Sequence, residues 1–92
     1  MTPDQAQILA LQALSWIIGD GQLSDVFLGA SGASVEDLKA QAQEPEFQAS
    51  VLDFLLLDDQ WVTGFCDANG LSYEAPLQAR SVLPGQELPH WT

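Results

Sequence analysis

Asp20-Gly21-Gln22-Leu23-Ser24-Asp25-Val26-Phe27-Leu28-Gly29-Ala30-Ser31-Gly32 returns 38 residues later as Asp58-Asp59-Gln60-Trp61-Val62-Thr63-Gly64-Phe65-Cys66-Asp67-Ala68-Asn69-Gly70. Each stretch opens on an acid suited to a helix start and closes on a glycine suited to a left-handed stop. Between them, Leu23, Phe27 and Ala30, and again Trp61, Phe65 and Ala68, fall at i, i+4 and i+7, one face of a short helix. The match extends outward at the same offset through Leu14/Leu52, Ser34/Ser72 and Glu36/Glu74. An extra residue near Pro76 then moves the offset to 39 and aligns Leu38/Leu77, Ala40/Ala79 and Pro45/Pro84. A preserved order of cap, core aromatic, turn glycine and capping serine is the signature of an internal repeat. The fold expected is all-α: a six-helix bundle made of two tandem three-helix repeats of about 38 residues.

The flanking segments fill in the remaining helices. Thr2, Pro3 and Gln5 form a capping-box start for a first helix running to about Ile18. Leu11, Leu14 and Ile18 mark its expected central stripe, widened by Ala6, Ala10, Ala13 and Ile17. Ser34, followed by Glu36 and Asp37, opens a third helix buried through Val35, Leu38 and Ala42. Pro45 starts a fourth, with Phe47, Val51, Phe54 and Leu55 on one side and Glu46, Ser50 and Asp53 on the other. Ser72 is expected to cap a sixth through Tyr73, Leu77 and Val82, with Pro76 in its first turn. The first and fourth helices carry more apolar surface than one partner covers, so the repeats, approximately 5–44 and 45–84, should pack through them into one domain spanning 1–84. Residues 85–92, with His90 and Trp91, read as a flexible C-terminal tail.

Composition bounds the function. Thirteen acids against Lys39 and Arg80 give a formal charge of −11. Nucleic acids and anionic lipid are recognised through lysine and arginine, so direct nucleic-acid binding and membrane association are not expected. A basic protein surface is the complementary partner. A single cysteine, Cys66, has no internal disulfide partner, and the Met-Thr-Pro-Asp-Gln start lacks the basic n-region of a signal peptide; both favour a cytoplasmic setting. No apolar run approaches the roughly 20 residues of a membrane span.

The order of motifs resembles a small uncharacterised family, mainly of alphaproteobacteria, known as domain of unknown function 3572. The residues that carry the resemblance are Ala13-Leu14-Ser15-Trp16-Ile17 with Gly19-Asp20, then Phe27-Leu28 with Gly32. Glu44-Pro45 and Val51-Leu52-Asp53-Phe54-Leu55-Leu56 with Asp58-Asp59 complete it. The likeness covers roughly residues 5 to 84 and specifies a fold more than a chemistry. It implies a bacterial, cytosolic, all-helical domain, and brings no catalytic residues with it.

The site candidates are few. Asp20 and Asp58-Asp59 are the most site-like polar residues, and with Asp53 they are the only resources for a carboxylate-based metal or ligand site between the repeats. Position six of a calcium loop begun at Asp20 would be Asp25, where glycine is needed, and position twelve Ser31, where glutamate is needed. Helix capping explains both acid clusters. Cys66 has Asp67 beside it and no basic neighbour, so it reads as a small core hydrophobe. His90, the one histidine, has no companion ligand. Ser15, Ser24 and Ser50 have no accompanying base. No catalytic, cofactor or metal constellation emerges, and a non-enzymatic role is expected.

Surface remains. Leu9 and Trp16 lie at i and i+7 on the side of the first helix that also carries Gln5 and Gln12, and form the candidate protein-binding edge. The function expected is a small acidic protein-interaction or adaptor domain. The alternatives are an acidic mimic occupying a basic nucleic-acid-binding groove, and the carboxylate site named above. Homodimerisation through the broad apolar first helix is compatible with each.

Overall fold

Six helices follow one another in a computed structural model that describes residues 1–32 and 34–83: α1 (Pro3–Gly19), α2 (Gly21–Ser31), α3 (Val35–Gln41), α4 (Pro45–Leu55), α5 (Asp59–Asn69) and α6 (Ala75–Val82). All regular structure among the described residues is helical. The expected tail, with His90 and Trp91, lies outside them.

Local chemistry sets most boundaries. Thr2 and Gln5 form a reciprocal capping box on α1, with Thr2 N donating to Gln5 Oε1 at 2.9 Å and Gln5 N donating to Thr2 Oγ1 at 3.1 Å. Ser34 and Asp37 do the same for α3. Asp20 Oδ1 accepts from the backbone N–H groups of Gln22 and Leu23 at 3.0 and 3.1 Å, and Asp58 Oδ1 accepts from Gln60 N at 2.8 Å. Helices α2 and α5 each span 11 residues and stop at Gly32 (φ 72°) and Gly70 (φ 66°). That left-handed backbone is open to glycine without a Cβ penalty. Replacing Asp20 by alanine orphans two N–H groups at the start of α2 and should cost about 1 kcal/mol. The melting temperature of a domain of this size then falls by roughly 4–8 °C, measurable by circular dichroism.

Helix α6 departs from expectation. Ser72 does not cap it; the helix begins two residues later than the offset implies, with Glu74 at the cap position making no side-chain bond. Pro76, in the first turn, is fully buried, and the packed face is Ala75, Pro76, Ala79 and Leu83 rather than Tyr73 and Leu77, both exposed. The small side chains decide this: alanines let α6 lie close against its neighbours, which bulkier residues would hold away.

Helix α1 is the hub and packs against α2, α4 and α6, while α4 also packs on α6. Its buried line is Ala6, Ala10, Ala13 and Ile17, with Leu9 beside it. Three alanines on one face permit close approach of two helices at once. Leu11, expected at the centre of the core stripe, is instead exposed, and Leu14 and Ile18 are only partly covered. Apolar residues surround most of α1, so periodicity alone does not fix which arc turns inward.

An aromatic row ties α2, α4 and α5 together. Phe27 meets Phe47 and Phe54 edge-on, at 6.1 and 5.1 Å between ring centres, and Phe54 stacks on Trp61 at 4.9 Å. The expected two-sided pattern of α4 is present: Val51, Phe54 and Leu55 are buried, while Glu46, Ser50 and Asp53 are exposed. Arg80 Nε donates to Asp53 Oδ1 at 2.6 Å and links α6 to α4. Solvent reaches this pair, so it contributes no more than about 1 kcal/mol.

Candidate docking groove

On α1, residues spaced four and three apart share a face. One such line, Ala6, Ala10, Ala13 and Ile17, is buried. A second, Asp4, Ile8, Leu11, Ser15 and Ile18, has the same spacing on nearly the opposite side; its first four residues are exposed and Ile18 is partly covered. Ile8 is 58% exposed and Leu11 37%. A run of apolar residues at alternating steps of three and four is what a helix presents to another helix across a seam. Among the described residues, one seam of α1 is filled by neighbouring helices and the other is exposed at Ile8 and Leu11.

Helix α3 builds the open seam into a groove. Leu38, buried in the core, Lys39 and Ala42 face Leu11, Leu14, Ser15, Ile18 and Gly19 across a space of about 400 Å³. The end of α3 is pinned by Gln48 on α4, whose Nε2 donates to the Ala42 carbonyl at 2.8 Å. Gln48 is itself buried, and its Oε1 has no hydrogen-bond partner among the described residues. Lys39 makes no ion pair among the described residues, whereas Arg80 is engaged by Asp53.

The residues singled out in the sequence fall elsewhere. Leu9 is in the core at 4% exposure and presents no surface. Trp16 is partly buried against α5, its ring edge-on to Phe65 at 6.1 Å between centres and 66° between planes. The approach is close: a Cβ on Gly64 would lie 3.0 Å from Trp16 Cζ2. Helix α5 covers this indole. A shallow polar recess between Gln12, Ser15, Trp16, Ala68 and Asn69 is what remains of that edge. The three-four line through Ile8 and Leu11 is visible in the sequence, but the buried line has the same spacing, so nothing there marks which of the two is exposed.

The acids and the thiol have structural partners. Asp20 and Asp58 turn their carboxylates onto their own helix starts, and Asp53 holds Arg80. Among the described residues, no three His, Cys, Asp or Glu side chains stand together as metal ligands. Cys66 is buried, and its Sγ lies 3.2 Å from the Ser72 carbonyl, to which it donates. Burial, and secondarily the charge of Asp67, pushes its thiol above the ordinary value. The thiolate is thereby disfavoured, the opposite of what a nucleophile requires. Tyr73 donates to Asp67 Oδ1 at 2.7 Å, and that bond, followed by the carboxylate charge, raises the phenol.

The chain is thus a small helical bundle with an apolar groove between α1 and α3, and no helix among the described residues is long and apolar enough to cross a membrane. It belongs to the DUF3572 family of proteins of unknown function, whose sequence model matches residues 3–86. No curated protein and no solved structure matches it.

Proposed function

We propose that this protein is a non-catalytic, cytoplasmic bacterial interaction domain that docks another protein on the α1/α3 groove. The observation that carries this reading is the second seam of α1, an apolar line at helix-packing spacing that the other described residues leave exposed at Ile8 and Leu11. Exposed isoleucine and leucine side chains scattered singly need no explanation, but aligned ones that continue into a groove do. The acids keep such a surface soluble: a charge of −11 opposes indiscriminate self-association while an apolar seam stays exposed. The bundle is proposed to descend from two copies of a helix, short helix, helix unit. The equal lengths and like caps of α2 and α5 support that origin. The two copies then diverged, α3 becoming a groove wall and α6 a core helix.

Affinity capture from a native-host lysate tests the reading, with the parent protein compared against an Ile8→Glu, Leu11→Glu double variant. The expected result is one dominant protein held by the parent through rising salt and lost by the variant, whose helicity stays intact because both side chains are exposed. Equal capture by both forms removes the groove from the function. Only basic proteins leaving together at modest salt reduces the acidity to a generic role.

A further inference from the structure

Resting on the interaction reading above, we infer that the occupant of the α1/α3 groove is a cationic amphipathic helix of a partner protein. Three observations lead there. The first is shape. Leu11, Ser15 and Ile18 line the groove with α3 as a second wall, and exposed Ile8 continues the line beyond it, a seam of about 15 Å at 1.5 Å per residue. A helix laid along it places side chains at i, i+3, i+4 and i+7 between these residues, the helix-in-groove mode. Ser15 is the small residue at the middle of the line, where a docked helix comes nearest.

The second is charge. Asp4 continues the exposed line one turn before Ile8, Asp20 follows the lining residue Gly19, and Glu36 stands one turn before Lys39 on α3; all three are exposed. Lys39 is the single cation on this rim. Among the described residues no acid lines the groove itself, so the attraction for basic residues on an incoming helix comes from these nearby exposed acids and from the −11 field of the whole chain, which steers it in.

The third is self-repulsion. A second copy laid on the same seam sets −11 against −11. A separate cationic helix does not meet that obstacle.

The test uses the full chain, isotope-labelled, with three synthetic helical peptides of about 18 residues, long enough to hold helical structure when docked. All carry leucines at i, i+3, i+4 and i+7; lysine, glutamine or glutamate fills the remaining positions. Amide shifts are followed by NMR, and affinities by titration, for the parent and for Leu11→Glu. The lysine peptide is expected to shift amides from Ile8 to Ile18 and from Leu38 to Ala42, and to bind more tightly than the other two. Leu11→Glu is expected to weaken it by roughly tenfold or more, as for loss of an apolar anchor. That variant also adds a negative charge, so plain attraction between opposite charges would strengthen.

Undiminished lysine-peptide binding to Leu11→Glu, or shifts spread over the acids generally, overturns the inference. Equal groove binding by the glutamine or glutamate peptide overturns the cationic assignment and leaves the docking reading standing. Dimerisation of the parent through the same amides makes a second copy the occupant and overturns it too. If no peptide touches the groove the inference falls, and the lysate capture decides the function separately.

Discussion

Phe65→Ala should lower the unfolding free energy by about 3–5 kcal/mol, the range for a fully buried ring cut to a methyl. At about 0.05–0.15 kcal/mol per residue, a domain of 92 residues holds only some 5–14 kcal/mol in total. The variant therefore gives up a large share of its stability, and nearly all of it at the low end of that range. The loss has two parts, the transfer free energy of the ring and the void left beside Trp16, which Phe65 meets edge-on. Trp16 is the reason the void does not close: its indole is already lodged against Gly64 and has little room to follow. Phe27, at the matching place in the first half, should cost less. It borders an opening of about 320 Å³ lined also by Ala30, Gln41, Phe47, Ser50 and Phe54, where neighbours relax and water enters. Urea unfolding of both variants measures the difference. Equal costs would mean that the two phenylalanines are packed alike, and the asymmetry described for the two halves would not extend to their cores.

Gln48→Glu is expected to be the most disruptive isosteric change on the polar side, by roughly 3–5 kcal/mol at neutral pH, the scale of an uncompensated buried charge. The wild-type amide donates to the Ala42 carbonyl; a carboxylate there presents a second acceptor to it in a site without a partner for Oε1 among the described residues. Burial and the facing carbonyl both disfavour the charged form, so the folded-state pKa of the introduced carboxyl lies above the unfolded value of about 4.3. The native state then binds more protons than the unfolded state, and stability falls as pH rises from that value through the raised one. Below about pH 4 the protonated acid donates to Ala42, and the deficit should largely vanish. Thermal melts of parent and variant from pH 3.5 to 7.5 test this; a gap that does not widen with pH would mean that the carboxyl turns out to solvent. Because Gln48 holds the end of α3, the same variant at neutral pH should also loosen the groove wall at Leu38 and Ala42.

Much of this architecture is local chemistry and was legible residue by residue. Thr2 with Gln5, Ser34 with Asp37, Asp20 and Asp58 start helices because their side chains answer backbone N–H groups two or three positions away. Gly32 and Gly70 end helices because an isolated residue there adopts positive φ. Such contacts span a few residues, so sequence order is enough to find them. The burial of Cys66 was readable for a related reason: acidic company and an apolar neighbourhood leave a thiol no other role.

The groove was not legible, and α1 shows why. A helix with apolar residues over most of its circumference offers several arcs of similar hydrophobicity, and Leu11 and Leu9 are equal candidates for the core on that basis. The choice falls to the partners. Alanines on α1, α4 and α6 allow close packing on the arc of Ala6, Ala10 and Ala13, which carries Leu9 inward and leaves Leu11 outside. Trp16, expected on an exposed binding edge, is instead turned against α5, because a glycine at position 64, far along the chain, admits its ring. The sequence by itself determined the number of helices, most of their caps and the acidic surface, since each depends on residues close in the chain or on composition. Which face of α1 is left open, and that α3 walls it into a groove, only the tertiary structure decided, because close packing between distant small residues selects one arc among near equals.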